Sequence, residues 1–232
     1  MSDLSGISIL IPTRKRPHFM RSVVETALDT AFSPEKLEIV FYIDEDDVDS
    51  QNTVKEITAA KAVIGPRIVL SQCWNECQKV ASHDVYMHCG DDILFKTVGW
   101  DLSVMTQFRK HPDRIAFVYG RDGIQPNTFG THGFIHKNWV DTVGYFVPPY
   151  FSCDYNDTWL NDVSKMIGRH FYIDIYTEHM HPAASKYIID ETHRERMARG
   201  YKDDVHKKYA ESESLRRDDA DKLKAFIANF NK

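Results

Sequence analysis

Basic charge is in short supply. The chain carries 29 Lys and Arg against 34 Asp and Glu, a formal net charge of −5, so its overall charge does not advertise a nucleic-acid ligand. Cysteine is scarce as well: only Cys73, Cys77, Cys89 and Cys153. Cys73 and Cys77 are spaced to share a helix face, but no second pair completes a zinc site. Reduced thiols in the cytoplasm are the expectation. Long apolar runs are missing. None approaches the ~20 residues that cross a bilayer, and no basic segment followed by an apolar stretch marks a signal peptide, so no membrane anchor is expected. A Gly-rich phosphate loop of the dinucleotide or P-loop type is absent. There are no repeats and no low-complexity segments.

What is present suffices for a core. Of the 232 residues, 42% are hydrophobic and 12% aromatic, which fits one domain, or one domain with an appendage. Strand and helix alternate. Ile7–Ile11 is an apolar run stopped by Pro12 and reads as a buried, parallel strand. Phe19–Ala31 carries Val23, Val24, Ala27, Leu28 and Ala31 on one helical stripe. Glu38–Ile43 reads as a strand, Gln51–Val63 as a helix broken by Pro66, and Arg67–Leu70 as a short third strand. Trp74–Ala81 reads as a helix and Asp84–His88 as a fourth strand. This alternation is the mark of an α/β sheet with crossover helices. Further on, Ile115–Tyr119 is a strand, Asp122–Thr131 a loop, Asn138–Phe146 and Asp157–Ile167 helices, and Phe171–Tyr176 a strand. Thr192–Lys232 is densely charged and ends in an amphipathic helix carrying Leu223, Phe226 and Ile227.

The chemistry concentrates where strands stop. Val85–Phe95 runs from apolar residues into Gly90-Asp91-Asp92 and back. Adjacent carboxylates raise each other's pKa unless a cation sits between them, and a hard divalent cation bridging to a phosphate is the usual partner. Thr13-Arg14-Lys15-Arg16 and Asp44-Glu45-Asp46-Asp47 also follow predicted strands. Ligands of such sheets bind beyond the carboxyl ends of the strands, so the three segments are expected on one rim. Asp46 and Asp47 read as a solvated acidic turn.

Together these motifs resemble family-2-type, GT-A fold glycosyltransferases, a family with viral and bacterial members. The resemblance rests on Ile7–Pro17, Asp44, Trp74-Asn75, Gly90-Asp91-Asp92, Gly130-Thr131-His132-Gly133, Gly144-Tyr145-Phe146, Asn156-Asp157 and the late histidines His179 and His181, and covers roughly Ile7 to Lys186. It implies a GT-A-like α/β fold, with a single Rossmann-like, mostly parallel sheet flanked by helices. Residues 1–190 would form the glycosyltransferase domain, and 191–232 a C-terminal helical extension packed on it. The location implied is cytoplasmic, in the host for a viral member. The activity implied is transfer of a sugar from a nucleotide-sugar donor to an acceptor hydroxyl. Mn²⁺ or Mg²⁺ would be held by Asp91 or Asp92 with His181 or His179, imidazole favouring Mn²⁺. Thr13, Arg14, Asp44 and Lys186 would bind the donor. Asp157, with Asp154 in reserve, would be the general base of an inverting transfer. The family's Asp-any-Asp metal signature has Gly90 where its first Asp belongs.

The acceptor stays open among a small molecule, a glycan, a protein and a modified DNA base, and so does the oligomeric state. Trp139, Tyr145, Phe146, Tyr150, Phe151 and Trp159 are either an acceptor platform or core. Arg194, Arg196, Arg199 and the later Lys and Arg residues either track phosphates or form a solvated helical face. Three other functions compete. Ile43-Asp44-Glu45-Asp46-Asp47-Val48 also fits a haloacid-dehalogenase-like phosphatase with Asp44 as nucleophile. A nucleotidyltransferase uses the same sheet and metal logic. A non-catalytic nucleotide-binding module needs the acids to be incidental.

Overall fold

The computed structural model describes residues 3–230. Its strands are β1 (Ile7–Thr13), β2 (Leu37–Asp44), β3 (Ala60–Gly65), β4 (Val85–His88), β5 (Ile93–Phe95), β6 (Phe117–Arg121), β7 (Gly133–His136) and β8 (His170–His179). The α-helices are α1 (Pro17–Thr30), α2 (Val48–Glu56), α3 (Leu70–Val80), α4 (Trp100–Arg109), α5 (Lys137–Val143), α6 (Asn156–Met166), α7 (Glu191–Lys202), α8 (Val205–Glu211) and α9 (Glu213–Phe230).

The strands form one sheet in the order β3-β2-β1-β4-β7-β6-β8-β5. The run β3-β2-β1-β4 is parallel throughout, as is the β6-β8 pair. β7 is antiparallel to both β4 and β6, and β5 to β8. Two antiparallel steps across β7 restore the direction, so β1, β2, β4, β6 and β8 all point their carboxyl ends at one rim. The near-continuous apolar strands follow from burial on both faces. Ile7, Ile9 and Ile11 face a cluster with α1 and α4, including Met20, Val23 and Phe108. Leu10 faces the opposite cluster, with Trp74 of α3, Trp139 of α5 and Trp159 of α6. Among the described residues, no helix is long and apolar enough to cross a membrane.

The region between α2 and α3 departs from the expectation. The helix expected over Gln51–Val63 runs only over Val48–Glu56, and the third strand is Ala60–Gly65, not Arg67–Leu70. Val54 and Ile57 fit a helical stripe, but the following Ala60, Ala62 and Ile64 also fit a period of two. Pairing with β2 over Ile39–Asp44 decides for strand. Arg67–Val69 then leads into α3, which begins at Leu70 and not at Trp74. β5, α4 and β7 had no sequence-based assignment.

Three helices follow Asp190. Val205 of α8 and Ala220 and Leu223 of α9 are buried in the same cluster as Trp139 and Trp159. Asp219 of α9 accepts a hydrogen bond from Trp159 Nε1 at 2.9 Å and another from the Tyr145 hydroxyl. Asp219→Ala leaves the buried indole N–H without its acceptor and is expected to cost about 1–3 kcal/mol. Urea unfolding should show a lower midpoint at unchanged slope. A loss below about 0.5 kcal/mol, the size of an ordinary surface substitution, would show that this carboxylate does not fasten α9.

Candidate active site

The rim opens into a cavity of about 570 Å³, lined by residues that follow β1, β2, β4, β6 and β8, with further contributions from α6 and α7. Trp74 of α3 props it from below. Its indole N–H lies 3.2 Å from the Leu10 carbonyl and 3.1 Å from that of Cys89, bridging β1 and β4 just before their loops begin.

Asp91 and Asp92 are both buried, at 5% and 6% exposure. Asp91 accepts from Thr13 Oγ1 at 2.8 Å and from the Arg16 guanidinium at 3.0 Å. The same guanidinium lies 3.8 Å from Asp92, and it donates to Asp190 at the start of α7 while touching His193. Asp92 Oδ1 is 3.4 Å from His179 Nε2, and Asp122 is 3.8 Å from the other nitrogen of that ring. Burial opposes a charge on His179, yet these two carboxylates raise it to about 9. Burial works against Asp92 as well, but the hydrogen bond and charge of His179 outweigh it and hold the carboxyl below its ordinary range. Asp91 goes the other way: burial, helped by the Asp92 charge and opposed by Arg16, pushes it up. A Cβ at Gly90 would meet Asp92 Oδ1 at 2.9 Å, so the departure from Asp-any-Asp leaves Asp92 room.

The late histidines are not equivalent. His181 Nδ1 accepts from the Ala183 backbone N–H at 3.1 Å, which leaves the ring proton of the neutral form on Nε2. Burial, reinforced by the charge on His179, lowers His181 to about 4. His132, between His179 and His88, is kept neutral by burial, which lowers it to about 3.

Arg14 and Asp44 meet after β1 and β2. Arg14 donates to Asp44 at 2.8 Å and grips Asp46 with both terminal nitrogens. Burial raises Asp44 despite Arg14. An Asp44 tied to a guanidinium is unlike the uncovered nucleophile that the phosphatase alternative asks for. Asp47 is not a solvated turn residue: it is 4% exposed, caps α2 through Ser50 N and accepts from Lys15 N at 2.6 Å. Lys186 stands outside the cavity lining, bound to Glu178 at 2.7 Å.

Asp157 lies in the first turn of α6 and lines the cavity. It is not the N-cap; that position is Tyr155, in the left-handed region at φ 58° and next to Asp154 at φ 47°. Two consecutive left-handed non-glycine residues store strain of the kind found beside functional groups. Asp157 Oδ1 accepts from Thr158 N at 2.7 Å. Burial, ahead of that opposing hydrogen bond, pushes its carboxyl up to about 6. Asp154 is paired with Arg196 of α7. The aromatic platform is core: Trp139, Phe146, Phe151 and Trp159 are at most 2% exposed, and neither they nor Tyr145 and Tyr150 line the cavity.

Sequence reasoning gave no role to Asp122, Asp190, His193 or Glu195, and left Arg16 a plain basic turn. Asp122 carried the same signal as Asp44, an acid directly after an apolar strand. The α7 residues carried none, because their partners are more than a hundred positions away in the chain.

No family model matches the chain, and no curated protein does. Solved structures do. A mannosyltransferase, PcManGT from Pyrobaculum calidifontis, in complex with GDP-Man and Mn²⁺, superposes with a TM-score of 0.58 at 10% identity over 76% of this chain and 57% of its own. S. aureus TarS 1-349 in complex with UDP-GlcNAc gives 0.59 at 10% identity, over 83% of this chain and 64% of its own. The same protein with UDP gives 0.59 at 11% identity, over 74% and 60%. The chain thus spans about three fifths of the length of the structures it matches. The fold is of the GT-A type.

Removing Arg16 would strand the Asp91 charge in a buried site. Arg16→Gln is expected to cost about 3–5 kcal/mol, the usual penalty for breaking a buried pair from one side. Adding Asp91→Asn should recover part of it. Denaturant unfolding of both single variants and the double variant measures the coupling. Strict additivity would mean that the two groups do not sustain each other.

Proposed function

We propose that this chain is a glycosyltransferase that moves a sugar from a nucleoside-diphosphate sugar to an acceptor hydroxyl with inversion. The observation that carries the reading is Asp157. Its Oδ2 is uncommitted, its proton affinity is raised toward neutrality, and it opens into the same cavity as the paired acids Asp91 and Asp92. The fold supports it, since the GT-A neighbours named above hold nucleotide sugars.

In this reading Asp157 takes the acceptor's proton while the acceptor oxygen forms its bond to the anomeric carbon. The bond from that carbon to the diphosphate breaks, and the electron pair leaves with the diphosphate. Thr13 and Arg16 hold Asp91 in place, and Asp44 with Arg14 faces the nucleoside.

A divalent cation fits the donor chemistry here, carboxylate oxygen with imidazole nitrogen. No three His, Cys, Asp or Glu side chains among the described residues are gathered tightly enough to hold an ion as they stand. Asp92 and His179, 3.4 Å apart, would hold it, the metal replacing the His179 proton. His181 would join only after giving up its bond to Ala183. The ion would act as a Lewis acid on the departing diphosphate.

Two measurements bear on this reading. Asp92→Asn should remove most Mn²⁺-dependent binding of a nucleoside diphosphate by calorimetry. Asp91→Asn, acting from behind, should weaken it about 10–100-fold. Equal affinity with and without Mn²⁺ in the unaltered protein would end the metal assignment.

Asp157→Asn should keep donor binding and lose about 10²–10⁴-fold in transfer rate. A base works only when ionised. With its pKa raised to about 6, kcat/KM should fall as pH drops through about 6, two units above an ordinary aspartate, and the residual activity of Asp157→Asn should lack that limb. Near-normal turnover in the variant would remove Asp157 from the mechanism.

A further inference from the structure

Granting that the cavity takes a nucleoside-diphosphate sugar, we propose that its nucleoside end is built for guanine, and that α7 supplies one side of the base site. Pro12, Thr13 and Arg14 meet Asp44 there, with Ile68, Leu70 and Cys73 as an apolar wall. Asp44 and Arg199 both act electrostatically on Cys73, which puts them at the same end. Helix α7 is drawn over this end. Thr192 Oγ1 donates to the Arg14 carbonyl at 2.9 Å, and Glu195 is paired with Arg67 and lies 3.6 Å from Arg14 Nε. Arg199, one turn further on, lines the cavity. Its Nε is buried without a hydrogen-bond partner, and no carboxylate among the described residues pairs with it.

The base end therefore offers hydrogen-bonding groups of two opposite kinds. Asp44 uses Oδ2 for Arg14 and keeps Oδ1 uncommitted, while Arg199 is a guanidinium with nothing to donate to. Guanine is the base that divides the same way. Its N1–H and N2–H₂ are adjacent donors, suited to one carboxylate, and its O6 and N7 are adjacent acceptors, suited to one guanidinium fork. Uracil presents a single N–H between two carbonyl oxygens, so a carboxylate on that proton faces two repulsive neighbours. Adenine sets an acceptor beside a donor on the edge where Arg199 needs two acceptors.

The test is calorimetry of GDP, UDP, ADP and CDP, each with Mn²⁺, against the full chain and its Arg199→Gln and Arg199→Lys variants. Arg199 has no ion pair to lose, so both variants are expected to fold, and a thermal melt checks this. GDP should bind at least about tenfold more tightly than UDP, and Arg199→Gln should erase about tenfold of GDP affinity while leaving UDP unmoved. Lysine, a point charge without the fork, should not restore it. UDP or ADP binding as tightly as GDP would overturn the base assignment alone, as would an Arg199→Gln variant that weakens all four alike. Binding of none of the four would overturn the nucleotide-sugar reading along with it.

Discussion

Much of this molecule hangs on the Arg16 guanidinium. It lies at 6% exposure between Asp91, Asp190 and His193, with Asp92 within 3.8 Å. Two adjacent acids at a buried strand end repel, and burying either without a partner is costly. Arg16 answers that charge from the β1 loop and His179 answers it from β8. The acid turn is thus stitched to the first and the last strand of the sheet. Asp190 draws the start of α7 into the same knot, so the C-terminal segment is held at the site by the charge the site itself requires.

The two ends of that segment are fastened by different physics. α9 docks by apolar burial around Ala220 and Leu223, with Asp219 closing the gap to Trp159. In α7 the only buried residue is His193. The rest of its attachment is polar: Lys15 to Glu191, Thr192 to the Arg14 carbonyl, Arg67 to Glu195 and Arg196 to Asp154. Ion pairs this close to solvent contribute little individually and weaken with salt. α7 is therefore the part of the cavity wall with the least to hold it shut, while α9 belongs to the core.

How much of this could be read from the chain follows from the range of the interactions. The strands ending at Thr13, Asp44 and His88 were legible because runs such as Ile7–Ile11 have no other reading in a two-faced sheet, and the acids after them marked the rim. The Ala60–Gly65 strand was not, because Ala59-Ala60-Lys61-Ala62 satisfies helical and alternating patterns equally and only pairing with β2 separates them. Lys186 looked like a phosphate ligand, but Glu178, eight positions earlier in the chain, takes it. Asp47 looked solvated because four acids in a row usually are, yet Lys15 N and Ser50 N turn it inward. Arg16, Glu195 and Arg199 could not be ranked at all: their worth comes from groups brought near only by the finished fold.

The site also separates its carboxylates by environment, which decides what each can do. Asp92 and Asp122 sit beside the His179 imidazolium and are held ionised. They can hold cationic partners, but they take up protons poorly. Asp157 has no cation against it, only a hydroxyl and a backbone N–H from Thr158, and burial raises it toward neutrality. A carboxyl with a pKa near the working pH is the one that can both be ionised and accept a proton usefully. Asp154, at the same bend of chain, is answered by Arg196 and is not the equal of Asp157. Two acids three positions apart thus receive different roles from what the fold sets beside them: a guanidinium for one, and for the other a wall with no compensating charge.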